Sequence, residues 1–279
     1  MVQHKTAQQY IKTEKPPKDL RLLSKTKAAE AAAPYTHIYH GGAICETDSR
    51  GFPTPRNRSP LEIVVDASEG FVPLWASNVT LRWRFQEQSM LAFVDPEAAK
   101  QYIRELFGEG LLLWGDAVPV RFTEVRDAWD FEIVMRPQPN CTVNGCTLAR
   151  AFFPDAGRHE LVLFPTLFEQ PRNEQVETLA HEQGHMFGLR HFFAQVSEEA
   201  FPSQVFGQHS RFSIMNYGSD SRMTDDDRSD LKALYNLVWA GTMTEINGTP
   251  IHLTRPFSDG RVSAGPTLHA VLSPPSSSA

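Results

Sequence analysis

His181-Glu182-Gln183-Gly184-His185-Met186-Phe187-Gly188-Leu189-Arg190-His191 is the stretch that decides how this chain reads. Residues four apart share one face of an α-helix, so His181 and His185 can aim two imidazoles at one ion. Glu182 follows the first ligand by one residue and projects beside the metal rather than onto it. A water-activating base belongs there. Gly188 lies three residues past His185. A glycine at that place can adopt a left-handed backbone, end the helix and turn the chain. The turn brings His191 round as a third ligand, which a straight helix could not do. Three neutral imidazoles leave a tetrahedral zinc with one open position, and zinc lowers the pKa of water there towards about 7. The same donors also suit cobalt, nickel or copper.

Outward from this stretch, a helix is expected to begin near Asn173 and to turn Val176, Leu179, Met186 and Phe187 inward. Upstream, Val79, Leu81, Trp83 and Phe85 alternate with polar residues, the pattern of a half-buried strand. Asp95-Pro96 opens a helix, with aspartate as N-cap and proline in the first turn. Its apolar face carries Ala98, Ala99, Tyr102, Ile103, Leu106 and Phe107. Further strands are expected at 118–125, 131–135, 148–153 and 160–164. Downstream, Thr224-Asp225-Asp226-Asp227 fits a capping pattern before a helix whose buried stripe is Leu231, Leu234, Leu237 and Val238. The order strand, helix, several strands, helix, long loop, helix argues for an α+β fold with a mixed sheet.

The remainder divides into an N-terminal extension over residues 1–70, a catalytic domain over 71–245 and a tail over 246–279. The extension holds loop chemistry and one candidate strand at Leu61 to Val65. From Ser258 the tail reads as frayed. With 279 residues, 22% of them charged, and a net charge of −6, the chain carries no electrostatic footprint for nucleic acid. No apolar run is long enough to span a bilayer. No secretory h-region is visible at the N-terminus, so a non-classical route of export is the expectation, and the Asn-x-Thr sites at Asn78, Asn140 and Asn247 carry little weight. A monomer is expected. Of the three cysteines, Cys141 and Cys146 flank a turn-like segment, where a local disulfide and two free thiols are both open readings.

The histidine motif resembles that of the metzincin clan of zinc metalloendopeptidases, and the resemblance covers roughly residues 75–240. Ser213-Ile214-Met215-Asn216-Tyr217-Gly218 looks like the methionine turn of that clan, with Met215 as the floor beneath the metal. Tyr217 matches the tyrosine that astacin-like and serralysin-like members use as a further metal ligand or as a stabiliser of the oxyanion. Leu148-Ala149-Arg150-Ala151-Phe152 resembles the sheet-edge strand that binds substrate, above all in matrixins. The resemblance implies a metzincin-like catalytic domain: a mostly parallel twisted sheet with an antiparallel edge strand, an active-site helix and a C-terminal helix. It also implies one catalytic Zn2+, while structural calcium stays open. Phe192, after the third ligand, matches none of the common branches. Arg150 stands where matrixins place a histidine for a second zinc, so a second zinc is not expected. Some metzincins are held inactive by a propeptide cysteine on the metal. Cys45 is the candidate for that part here, with Asp48 as a weaker one and a plain free thiol as the simpler reading.

From these residues the expected activity is hydrolysis of peptide bonds in extended protein substrates, with Glu182 as general base and Tyr217 as oxyanion donor. Substrate would add a strand along Leu148, Ala149 and Arg150. The other readings are a metal- or peptide-binding module that does not use its site for catalysis, and a metallohydrolase acting on something other than protein. Glu182 speaks against the first, and the edge strand against the second.

Overall fold

The computed structural model describes residues 43–45, 63–66, 70–142, 145–191, 203–206, 213–215 and 221–262. In chain order the elements begin with strands β1 (Ala43–Cys45), β2 (Ile63–Asp66), β3 (Val72–Trp75) and β4 (Thr80–Phe85), followed by helices α1 (Glu87–Met90) and α2 (Pro96–Trp114). Then come β5 (Arg121–Glu124), β6 (Phe131–Met135), β7 (Asn140–Thr142), β8 (Gly145–Arg150), β9 (His159–Leu163), α3 (Arg172–Met186) and β10 (Leu189–Arg190). The chain closes with β11 (Ser203–Phe206), α4 (Asp225–Trp239), β12 (Glu245–Ile246), β13 (Thr249–Thr254) and α5 (Asp259–Val262).

The main sheet runs β1-β8-β9-β6-β4-β5, with β7 also on β8. All its neighbours are parallel except β8 with β9 and β7 with β8. This is the α+β fold with a mostly parallel mixed sheet. It departs from expectation at one place: antiparallel β8 is not the outermost strand. β1 lies outside it, in parallel register, with Cys45 opposite Ala149. A pairing across a hundred residues leaves no mark on the local sequence pattern, so the edge looked free.

Helix α2 starts as its signals dictate. Asp95 accepts a hydrogen bond from the Ala98 amide at 3.0 Å, and Pro96 takes the first helical position. It packs closely on α3: a Cβ on Gly110 would stand 3.1 Å from the Ala180 nitrogen. Behind it, Trp83, Phe107, Phe122 and Phe131 pack as an aromatic cluster with ring centroids 5.3–6.4 Å apart. A buried ion pair, Arg172 to Glu109 at 2.9 Å, ties the start of α3 to α2. Cys141 and Cys146 form a disulfide across the β7–β8 pair, which leaves Cys45 as the remaining cysteine.

In α4 the buried face is Leu231, Leu234, Tyr235 and Val238. Leu237 is only half-buried, because Tyr235 turns towards β3 in its stead. Residues 246–258, read from sequence as the start of a tail, pack on the domain. β13 runs parallel to β3, and Ser258 is buried with its amide and hydroxyl on the Asp130 carboxylate at 2.7 and 2.9 Å. No helix among the described residues is long and apolar enough to cross a membrane.

Candidate metal centre

Helix α3 carries His181, Glu182 and His185, all buried to within 1% of full enclosure. It ends at Met186. The Gly188 amide donates to the His185 carbonyl at 2.9 Å, and Gly188 has φ +92°. That backbone suits glycine, and a Cβ would also press on Leu74 and on the Pro73 carbonyl at 3.0 and 3.1 Å. The turn leads through Leu189 and Arg190 to His191, which is fully buried.

The three histidines converge as the spacing demands. Their Nε2 atoms lie 3.0 Å (His181 to His191), 3.1 Å (His185 to His181) and 3.2 Å (His185 to His191) apart. An ion with tetrahedral angles and ordinary zinc–nitrogen bonds spaces its ligands about 3.3 Å apart, so the three rings fit zinc closely. The tautomers fit as well. His181 Nδ1 lies 2.8 Å from the Ile214 carbonyl, and His185 Nδ1 lies 2.8 Å from the Leu189 carbonyl. A carbonyl only accepts, so each Nδ1 donates, and each neutral ring turns an Nε2 lone pair towards the centre. Lone pairs crowded this closely in a buried pocket repel one another unless a cation lies between them. Among the described residues, His181, His185 and His191 are the group of donors fit to hold a metal.

Met215 is buried against the ligand helix, and Gly184 is what admits it. A Cβ on Gly184 would sit 2.4 Å from the Met215 sulfur and 3.2 Å from Trp114. Asp227, the third residue of α4, ties this turn to the helix. Its carboxylate accepts from Ser213 Oγ at 2.5 Å, the Ile214 amide at 3.1 Å and the Thr224 hydroxyl at 2.7 Å. Burial raises the Asp227 carboxyl above its ordinary value, against the hydrogen bonds from Ser213 and Thr224. The path Asp227, Ile214, His181 thus couples the cap of α4 to a ligand ring.

The far end of α3 is held by side chains that sequence reading did not single out. Trp75 Nε1 donates to the Met186 carbonyl at 2.7 Å, and the Tyr235 hydroxyl to the Phe187 carbonyl at 3.0 Å. Both satisfy carbonyls that the helix terminus leaves open. Nothing local in the sequence marks Trp75 for that task, since its partner is more than a hundred residues away. One turn before His181, Glu177 is mostly buried. Burial, then the charge of Glu174, pushes its carboxyl up to about 7, against the lowering effect of Arg222.

Of the other expected site residues, Leu148 and Ala149 are buried in β8 and Arg150 is half-buried. β8 leads towards the centre, where the Phe153 ring meets His185 edge-on at 5.5 Å. Cys45 is in β1. Tyr217 and Asp48 lie outside the described residues.

No protein-family model matches the chain. It is 28% identical to human (Homo sapiens) stromelysin-3 over 111 residues, which is 34% of this chain and 22% of that protein. Mouse (Mus musculus) stromelysin-3 is 27% identical over the same length, again 34% of this chain and 22% of that protein. The chain therefore spans less than a quarter of these curated relatives. Among solved structures, myroilysin aligns with 62% of this chain and 98% of its own at 13% identity and a TM-score of 0.40. High choriolytic enzyme 1, a hatching enzyme zinc-protease from Oryzias latipes, aligns with 61% of this chain and 92% of its own at 13% identity and a TM-score of 0.36. With the stromelysin-3 match beside them, the ligand spacing, the meeting of three imidazoles and the methionine packed beneath their helix make this metal centre similar to that of metzincin-like metalloproteases.

Proposed function

We propose that the chain is a zinc-dependent endopeptidase acting on extended stretches of protein substrate. The observation that carries this reading is the meeting of His181, His185 and His191 Nε2 atoms within 3.2 Å, next to the carboxylate-bearing Glu182. His181, His185 and His191 would hold the ion. Zinc, when bound, supplies Lewis acidity: it polarises a carbonyl and makes hydroxide available near neutral pH. Glu182 takes the proton of the attacking water on its carboxylate and delivers it to the leaving amine. Tyr217 donates a hydrogen bond to the oxygen on which negative charge develops, a contribution of about 3 kcal/mol for one such donor. Substrate pairs with β8 along Leu148, Ala149 and Arg150, and main-chain hydrogen bonds provide the affinity.

That edge of β8 is where β1 lies, so a peptide and β1 compete for the same backbone groups. β1 runs parallel to β8, and β8 leads to Phe153 and His185, so the Cys45 end of β1 is the end nearer the metal. This supports latency through the N-terminal extension, with the Cys45 thiolate as the ligand that fills the open zinc position. Cys45→Ser should then raise basal activity, and an unchanged rate and unchanged zinc accessibility would dispose of the switch.

The decisive assay is cleavage of casein or gelatin with and without a chelator, beside Glu182→Ala. Loss of cleavage in both supports the protease. Zinc bound without any cleavage by the wild-type chain supports the second reading, a binding module. Tyr217→Phe should lower turnover while zinc content stays intact, and equal activity would remove Tyr217 from the mechanism.

A further inference from the structure

The N-terminal extension approaches the metal centre a second time, through β2. This strand lies between β10 and β11 in a three-stranded sheet of its own, antiparallel to both. Leu189 stands opposite Val65 and Arg190 opposite Val64, while Ser203 to Phe206 pair from Asp66 back to Ile63. β10 is two residues long, and among the described residues β2 is the strand it pairs with. Two residues of extended chain have little order of their own. A ladder on one side is what fixes their backbone.

Those two residues serve two of the three ligands. The Leu189 carbonyl orients the His185 ring at 2.8 Å, and Arg190 is followed directly by His191. The remaining ligand, His181, takes its orientation from Ile214, which Asp227 holds from α4. The ligand set therefore has two supports. One belongs to the body of the domain and the other comes from far upstream, in a segment whose composition is mostly that of loops.

We infer that Ile63–Asp66 is a positioning strand of the metal centre, needed for His185 and His191 to hold zinc, whereas β1 is not. The inference rests on the zinc-site reading above. It divides the extension in two: a chain that lacks β1 keeps its metal, and one that lacks β2 as well loses it.

The test uses the full chain with Val64→Pro and Val65→Pro, and Ile44→Pro in β1 as control. Proline removes a ladder donor, and successive residues of β2 point their amides to opposite neighbours, so one of the pair strikes the β10 side. Zinc affinity is read by competition with a chromophoric chelator, and ligand geometry by the visible spectrum of the cobalt-substituted protein. At least one β2 variant should bind zinc 10- to 100-fold more weakly, the range seen when groups that orient ligands are lost, and should alter the cobalt bands. Ile44→Pro should match Cys45→Ser within threefold, since all that the loss of β1 can take from the ion is the Cys45 thiolate. Wild-type affinity and cobalt spectra in both β2 variants would overturn the inference while leaving the metal site standing. A wild-type chain that binds no zinc would instead sink the site reading itself. If the proline variants do not fold, amide exchange on the wild-type chain decides. Residues 63–66 and 189–190 should be protected together, and free exchange at 63–66 beside protected 189–190 would refute the pairing.

Discussion

Replacing Gly188 with alanine perturbs the turn on which the third ligand depends. Gly188 has φ +92°, and an alanine Cβ would meet the Pro73 carbonyl at 3.1 Å and Leu74 Cδ2 at 3.0 Å. A left-handed backbone costs a residue with a Cβ about 1–2 kcal/mol. The contact with Pro73 adds to this, since β3 is locked between β13 and the bond from Trp75 to Met186 and cannot yield freely. Overpacking of this kind typically costs about 1–3 kcal/mol, so the sum is about 2–5 kcal/mol. The chain can bear that cost in the folded state or relieve it by letting the turn swing, which carries His191 away from His181 and His185. The two routes are separated by measuring thermal unfolding of the metal-free protein beside zinc affinity. Gly188→Ala should lower apo stability, or weaken zinc binding by tenfold or more, since each factor of ten is about 1.4 kcal/mol. An alanine variant with wild-type melting and wild-type affinity would refute the claim that this turn builds the site.

Further outcomes follow from other parts of the centre. Gly184→Ala should gain about 1 kcal/mol of helix propensity while displacing the Met215 sulfur, so stability changes little but zinc affinity falls; chelator competition checks it. Asp227→Ala should destabilise by about 2–4 kcal/mol in urea unfolding and weaken zinc binding, because Ser213, Ile214 and Thr224 all lose their acceptor. Glu177 sets a pH dependence. Its folded-state pKa of about 7 lies above the ordinary 4.5, so the folded chain holds the proton more tightly than the unfolded chain. The resulting cost to stability is absent below pH 4.5, grows between 4.5 and about 7, and is full above that. Glu177→Gln should therefore stabilise the metal-free protein by about 1–3 kcal/mol at pH 8 and by almost nothing near pH 4.5, measured by urea unfolding at both.

What the sequence made legible was local. Asp95-Pro96 and Thr224 to Asp227 announce their helices because capping is decided within one turn of chain, and the structure shows both caps. The histidine spacing is legible for the same reason, since helix geometry and one glycine fix where three rings point. What stayed hidden is non-local. Asp227 reads as a capping residue, but its reach to Ser213 and Ile214 depends on how α4 docks. Trp75 and Tyr235 look like core aromatics, and their bonds to the end of α3 appear only once β3 and α4 flank it. The strand expected at Leu61 to Val65 is there as β2, Ile63–Asp66, but β1 was not legible, and neither was the pairing of either strand. The composition around them is that of loops, and their partners lie more than a hundred residues on, so neither the covered edge of β8 nor the support behind β10 has a local signature.

The most direct measurement is zinc-edge X-ray absorption on the purified full-length chain, with metal content determined in parallel. One zinc per chain with three imidazole ligands at about 2.0–2.1 Å, lost on His185→Ala, is the expected result. A chain that holds no zinc, or one whose zinc survives replacement of His181, His185 and His191 together, would contradict it.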